Sequence, residues 1–430
     1  MAREYKDSGI EWIGQIPKEW EVELIGNNIK EINDKNDDSS EDNALQFKMG
    51  SIISKKGGDS KYNPESLAAY TKVKEGDIVI NGLNLSFDLI SQRVGLVREK
   101  GVITSTYLTL RPSSLLHSEF VNYLFKAYDN CKAFHGMGRG LRQILAYREL
   151  KNQKLIYPPL PEQQKIADYL DKVCGEIDEM VALQETMIEE LKAYKQSVIT
   201  EAVTKGLNPH VPMRDSGIDW IGEMPEHWGM QRLKTLGWTQ NGISQSGDYF
   251  GEDYAYPFVS YSDAYKNYSL PYPSGRANSS EEDRQRYSLI EGDVLFTRTS
   301  ETIEEIGFAS TCIETIPKSV YSGFLIRFRP TSDKLFKGFS KYYFRSQVHR
   351  AYFVKQMNIV TRASLGQDLL KNLVVLLPPL DEQRAIASFL DTKCSEIDSL
   401  IAIKQAKIEE LKEYKKSVIY EYVTGKKEVV

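Results

Sequence analysis

Cysteine and histidine are scarce in this chain. Its 430 residues include four cysteines, Cys131, Cys174, Cys312 and Cys394, and five histidines. The cysteines stand far apart, with no CxxC pair and no neighbouring histidine pair. That spacing excludes a zinc finger and a disulfide scaffold. The sequence also lacks HExxH, GxSxG and GxxxxGK[ST], so zinc-protease, esterase and phosphate-loop chemistry have no signature here. No run approaches the 18 or so apolar residues that a membrane span needs. The opening MAREYKDSGIEW has no apolar stretch of the signal-peptide kind. A soluble protein of the reducing cytoplasm is the expectation.

What is present is ordinary globular material, 41% hydrophobic and 27% charged, enough for two to four domains of roughly 100–200 residues. The formal net charge of −5 argues against a polyanionic partner, but the charge is unevenly placed. Residues 89–156 hold eleven Lys/Arg against four Asp/Glu, and residues 318–371 hold eleven against two. Local basic surface is what a polyanion senses. Solvated faces of no special role produce the same counts.

The chain repeats itself. Residues 7–20, DSGIEWIGQIPKEW, match 215–228, DSGIDWIGEMPEHW, at nine of fourteen positions. A second pair, 158–204 and 378–424, is identical at 27 of 47 positions. The order is A–B–A′–B′. The A blocks keep only landmarks between their ends, such as Glu75-Gly76-Asp77 against Glu291-Gly292-Asp293, and Leu110-Arg111-Pro112 against Phe328-Arg329-Pro330. Two modules with one frame and different interiors suggest one kind of job done on two targets.

In the B blocks, apolar residues recur at spacings of four and three: Ile166, Leu170, Val173, Ile177, Met180, then Met187, Leu191, Tyr194 and Val198. The second copy carries the weaker series Ile386, Leu390, Ile397, Leu400, Leu411, Tyr414 and Val418. This is a heptad seam. It predicts two long helices of about 66 Å each, which bury their stripes against one another or against their own A blocks. The A blocks predict strands at Asp77–Ile80, Gly101–Thr104, Tyr107–Leu110, Asp293–Phe296 and Phe324–Phe328, with helices over Glu119–Phe134 and Lys334–Gln356. The fold class expected is α/β: two mixed α/β domains joined by two long antiparallel coiled-coil helices, related by a pseudo-twofold internal duplication. The predicted divisions are 1–157, 158–206, 213–377 and 378–425.

Tyrosines crowd residues 249–272, and Gly136-Met137-Gly138-Arg139-Gly140 is followed by Arg142. The first suits stacking and the second a close approach of backbone to phosphate. Core tyrosines and an ordinary loop are the plain alternatives. Tyr157-Pro-Pro lacks the leading Asn or Asp of the amino-methyltransferase motif. Acidic pairs such as Glu189-Glu190 read as solvated helix flanks, and Cys174 and Cys394 as small buried thiols.

Taken together, the doubled DSGIxWIGxxPxxW openings, the EGD landmarks and the PPLxEQxxIAxxLD…IEELKxYKxSVIxExVT helices resemble the specificity subunits of type I DNA restriction–modification systems, over nearly the whole chain. The resemblance implies a non-catalytic subunit. Each A block would be a target-recognition domain reading one half of a split site in double-stranded DNA. The long helices would hold the two apart and dock two methyltransferase subunits, in an assembly with restriction/translocase subunits. It implies no cofactor or metal in this chain, with S-adenosylmethionine, ATP and Mg²⁺ in the partners, and no membrane. By position, it directs DNA contact to Asn81, Asn84, Ser86, Arg139, Arg142, Tyr261, Ser262, Arg298, Thr299, Ser300, Thr361, Arg362 and Ser364. The rival reading is a two-headed coiled-coil scaffold, or a DNA-binding protein without catalytic partners.

Overall fold

In this computed structural model, residues 3–48, 50–55, 67–85, 88–137, 144–244, 251, 254–300, 306–356 and 363–429 are described. The chain forms two compact units, one of Met1–Glu185 with Gln405–Val430, the other of Thr186–Lys404. Both long helices exist, Leu160–Lys205 and Leu380–Val423. Each gives its first half to one unit and its second half to the other.

The units are built alike. In the first, an antiparallel sheet runs in the order Ile29–Glu31, Leu108–Pro112, Ile78–Ile80, Val94–Leu96. In the second, the order Gly237–Asn241, Leu325–Pro330, Val294–Thr297, Ala309–Thr311 is the same plan. An opening hairpin recurs as Tyr5–Asp7 with Gln15–Pro17, and as Met213–Asp215 with Glu223–Pro225. A two-stranded ribbon before each long helix joins Lys154–Tyr157 to Glu21–Leu24, and Val374–Leu377 to Gly229–Arg232. The interiors differ. The first unit inserts a hairpin, Leu45–Lys48 with Ser51–Ser54. The second inserts Tyr256–Val259, which runs parallel to Val320–Tyr321.

The repeated motifs are structural joints. Asp77, fully buried, takes Nε and Nη2 of Arg111 at 2.6 and 2.7 Å; Asp293 takes the same atoms of Arg329 at 2.8 and 2.6 Å. The EGD and Arg-Pro landmarks are thus the two halves of one bidentate pair. The glycine between has φ +86° and +89°, a left-handed turn that favours glycine. In PPLxEQ, the buried glutamine ties down the segment before its helix. Gln163 donates to the Leu115 and Pro158 carbonyls and accepts from His117 N–H at 2.8 Å. Gln383 does the same with Lys334, Pro378 and Phe336 N–H.

The neighbouring glutamate accepts from the PxxW indole: Trp20 Nε1 reaches Glu162 at 3.3 Å and Trp228 Nε1 reaches Glu382 at 2.9 Å. Each tryptophan also meets the other helix's end. A Cβ at Gly425 would lie 3.2 Å from Trp20, and one at Gly206 3.2 Å from Trp228. Each unit therefore closes around one tryptophan that touches the start of one long helix and the finish of the other.

Within each unit the helix halves run antiparallel. Lys415 pairs with Asp178 at 2.7 Å in the first, and Lys195 with Asp398 at 2.7 Å in the second. These are the same residues displaced by the repeat. The heptad seam is used unevenly. Ile166, Leu170 and Ile177 are buried, as are Ile386, Leu390, Ile397 and Val418, but Met180 and Tyr194 are about half exposed, and beside partly buried Val198 it is Ile199, off the predicted seam, that is buried. The helix ends bury their stripes in the cores of the A blocks. The helical pattern predicted over 334–356 divides into Lys337–Tyr343 and Gln347–Gln356. Buried Ser346 donates its hydroxyl to the Tyr343 carbonyl at the break, competing with the helical ladder there.

Candidate nucleic-acid interface

The candidate surface begins where the central EGD strand ends. In the first unit Ile80 pairs with Val94, and the chain leaves the sheet at Asn81. Asn81 N–H still bonds the Arg93 carbonyl, and its side chain accepts from Leu83 N–H at 3.2 Å. Arg93, 2% exposed, lies beneath the loop. Nη1 donates to the carbonyls of Asn81 and Leu83, at 3.0 and 2.8 Å, and Nη2 to those of Asn84 and Asp88, at 3.4 and 2.6 Å. One guanidinium thus ties the backbones of Asn81, Leu83, Asn84 and Asp88 together. Asn84 is exposed, with φ +52°. Asp88 accepts from the N–H groups of Ser91 and Ile90, and these bonds hold its carboxyl down at about 2.

In the second unit the same register places Thr297 where Asn81 stands and Arg298 where Gly82 stands. Leu145 N–H bonds the Gly82 carbonyl, and Leu365 N–H bonds the Arg298 carbonyl at 2.7 Å. Beyond it, Thr299 and Ser300 pair with Ser364 and Ala363. The structure thus joins two of the groups singled out in the sequence. Tyr261 and Ser262 open a short helix, Tyr261–Lys266, directly after the Tyr256–Val259 strand. Ser260 caps it with a reciprocal bond to Asp263. The Tyr261 ring stacks on Tyr265, which meets Phe308 edge-on. Phe308 N–H bonds the Thr297 hydroxyl at 2.9 Å. Ser322 N–H bonds the Val259 carbonyl, and Arg298 N–H bonds the Phe324 carbonyl at 2.8 Å. Tyr261, Arg298, Thr299 and the Ser322–Phe324 turn are therefore linked through one contiguous set of bonds. Ser86, Arg139, Arg142, Thr361 and Arg362 lie outside the described residues, and so do the side chains of Ser300 and Ser364.

The basic tracts read differently in three dimensions. Arg93 and Arg327 are buried, and Arg111 and Arg329 hold the EGD aspartates. Arg345 donates to the Ala264, Tyr265, Asn267 and Ala309 carbonyls. Lys100, Lys337, Lys341 and Lys355 pair with Glu41, Glu291, Asp391 and Asp219. Much of the charge excess is internal scaffolding, and sequence counting overstates the basic surface. Of the tyrosines, Tyr268 packs among Gln196, Lys195 and Arg345, while Tyr272 is exposed. Sequence reasoning missed Arg93. Its only signal was membership of a basic tract, which is shared with ten other residues.

Among the described residues no three His, Cys, Asp or Glu side chains gather as a metal site, and no helix is long and apolar enough to cross a membrane. Cys174 and Cys394 are buried, and burial pushes both thiols up, away from reactivity.

Such geometry defines a duplicated protein: two equivalent sheets whose central strands end in different residues. The comparisons agree. The model of the type I restriction modification DNA specificity domain matches residues 93–193 and 225–413. The MjaVIII specificity subunit of Methanocaldococcus jannaschii is 24% identical over 423 residues, spanning 96% of this chain and 94% of that one. The EcoKI specificity subunit of Escherichia coli K12 is 28% identical over 289 residues, 64% of this chain and 58% of its own. Among solved structures, a chain from work on complex assembly and conformational transition of the type I R-M system superposes with a TM-score of 0.71. It is 16% identical, with 95% of this chain and 98% of that one covered. The HsdS subunit from Thermoanaerobacter tengcongensis gives 0.51 over the same shares, also at 16% identity. The chain belongs to the type I restriction–modification DNA specificity family. It is a specificity subunit, a recognition component and not a catalytic one.

Proposed function

We propose that this chain reads a bipartite site in double-stranded DNA, one half with each unit. It docks two copies of a methyltransferase subunit through its long helices, in a cytoplasmic assembly that also carries restriction/translocase subunits. The observation that carries the reading is the equivalence of the two strand ends. The same sheet, with the same Asp–Arg pair behind it, ends at half-buried Asn81 in one unit and, beyond buried Thr297, at half-buried Arg298 in the other. A common frame with different polar tips is what reading two different sequences requires. Asn suits adenine, Arg suits guanine, and Ser and Thr suit phosphates and mixed contacts.

Docking of two like partners is supported by exposed apolar positions that recur with the repeat. Met180, Leu183 and Tyr194 on the first helix correspond to Leu400, Ile403 and Tyr414 on the second, all exposed. Adenine methylation with S-adenosylmethionine, and ATP- and Mg²⁺-dependent steps, then belong to the partners. The helices, 46 and 44 residues long, set the unread spacer between half-sites.

Two variants test this by methylation-site mapping. Exchanging residues 213–376 for a relative's block should change one half-site and keep the spacer. Adding four residues to both helices, after Thr186 and opposite it near Gln405, lengthens each by about 6 Å and turns the remainder by about 40°. It should shift the spacer and keep both half-sequences. An insertion variant that methylates only the parental spacing would refute the ruler.

A further inference from the structure

Two apolar side chains are held out into solvent on backbones that cannot turn them away. Ile90 is 96% exposed. Its N–H donates to Asp88 Oδ1 at 3.1 Å, the Leu89 carbonyl accepts from Lys132 Nζ, and the Asp88 carbonyl accepts from buried Arg93. Phe324 is 61% exposed. Its N–H donates to the Ser322 hydroxyl at 3.3 Å, its carbonyl accepts from Arg298 N–H at 2.8 Å, and Gly323 N–H beside it bonds the Ile243 carbonyl at 2.7 Å. Single exposed hydrophobics are common and need no explanation. These two differ because the turn beneath each is fastened on several sides. On a loose loop an isoleucine or phenylalanine folds back onto the protein; on a pinned turn its apolar surface stays ready for a partner, and little freedom remains to be lost on binding.

Both sit among the polar candidates. Ile90 lies two residues from Asp88, whose carbonyl shares the Arg93 clamp with those of Asn81 and Asn84, and Ser91 and Lys132 are exposed beside it. Phe324 is bonded to Arg298. A cationic and amide rim around a small fastened apolar tip, Ile90 with half-exposed Leu89 beside it in one unit and Phe324 in the other, fits a nucleic-acid groove and not an apolar protein cleft. On the edges of stacked base pairs one group answers an aliphatic or phenyl side chain: the C5-methyl of thymine, in the major groove.

We propose that Ile90 and Phe324 are specificity-determining residues, each reading a thymine in the half-site of its own unit by packing on the C5-methyl. This rests on the DNA-reading function above.

The test uses the chain in complex with its methyltransferase and a duplex carrying the mapped site. Each thymine is replaced in turn by uracil, which removes the methyl and leaves pairing intact. One such change in the half-site of the first unit should weaken binding about fourfold, the factor a buried methyl group supplies. That penalty should vanish in Ile90→Ala, whose other half-site responds as wild type. Phe324→Ala should behave conversely. The slope of log affinity against log salt should stay unchanged in both, since no phosphate contact is lost.

Uracil penalties that persist in the variants would overturn the assignment, as would a half-site without thymine or one indifferent to uracil. Loss of 2-aminopurine fluorescence enhancement without a uracil effect would replace it with insertion between base steps. A wild-type complex with no sequence preference would remove the DNA-reading function itself, and the inference with it. Both side chains lie outside the hydrophobic cores, so thermal melts of the two variants should match wild type.

Discussion

Asp293→Asn should unfold the second unit early. Asp293 is fully buried, and the side chain of Arg329 is 18% exposed. Neutralising the carboxylate leaves a guanidinium with little water and no counter-charge. Losing one partner of a buried pair costs about 3–5 kcal/mol. Asparagine keeps an oxygen for Ile290 N–H, which Asp293 accepts at 2.9 Å, so the turn survives and the loss is that of the charge. The equivalent Asp77→Asn should cost less, about 1–2 kcal/mol, because the Arg111 side chain is 35% exposed and water can take over. Against a domain stability of about 5–15 kcal/mol, the first change is severe and the second tolerable. Urea unfolding reads both, with the two units followed as separate transitions. At an m-value of about 2 kcal/mol/M, Asp293→Asn should move the second unit's midpoint down by about 2 M. The double change Asp293→Leu with Arg329→Met should recover most of it, since no charge is then stranded. A shift no larger than that of Asp77→Asn would refute the reasoning.

Two further outcomes follow from buried groups and backbone. His349 is buried against Tyr343, and burial pushes its pKa down to about 3. Between about pH 6.5 and 3 the unfolded state therefore takes up a proton that the folded state refuses, so stability should fall with pH by up to about 1.4 kcal/mol per unit. His349→Gln should flatten that part of a Tm–pH series. Gly425 has φ +68° and its Cβ would strike Pro17, whereas Gly14, also at +68°, faces open space. Gly425→Ala should lower Tm well beyond the effect of Gly14→Ala, which carries only the backbone cost of about 1 kcal/mol; paired thermal melts decide.

The duplication was readable because the repeated residues are joints. Trp20 and Trp228, Gln163 and Gln383, and Asp77 and Asp293 make the same bonds in both units, so they stay alike while the interiors drift. Strand positions were readable to within a residue or two; Asp77–Ile80 became Ile78–Ile80. That the EGD aspartate and the Arg-Pro arginine are partners was not readable, because 34 residues separate them in one unit and 36 in the other. The roles of the basic tracts were hidden for a related reason. Arg93 and Arg345 find their partners in backbone carbonyls, and Arg327 in the Ser288 carbonyl and the distant Gln240 side chain, none of which carries a sequence signature. The equivalence of Gly82 and Arg298 needed the sheet register, since the surrounding sequences have diverged.

The tryptophan junctions also bear on synthesis. The second unit, Thr186–Lys404, is one uninterrupted stretch of chain. The first is finished only by residues made after the whole of the second: Ile419 and Val423 enter its core, and Tyr420 donates to the Trp12 carbonyl across 408 residues of chain. At roughly 5–20 residues per second, the apolar face awaiting that segment stays open for some tens of seconds. Of the two blocks, the one made earlier is therefore completed later. Premature termination beyond Lys404 would leave the second unit whole and the first unsealed, so the nascent chain's demand for chaperones falls on its earlier part.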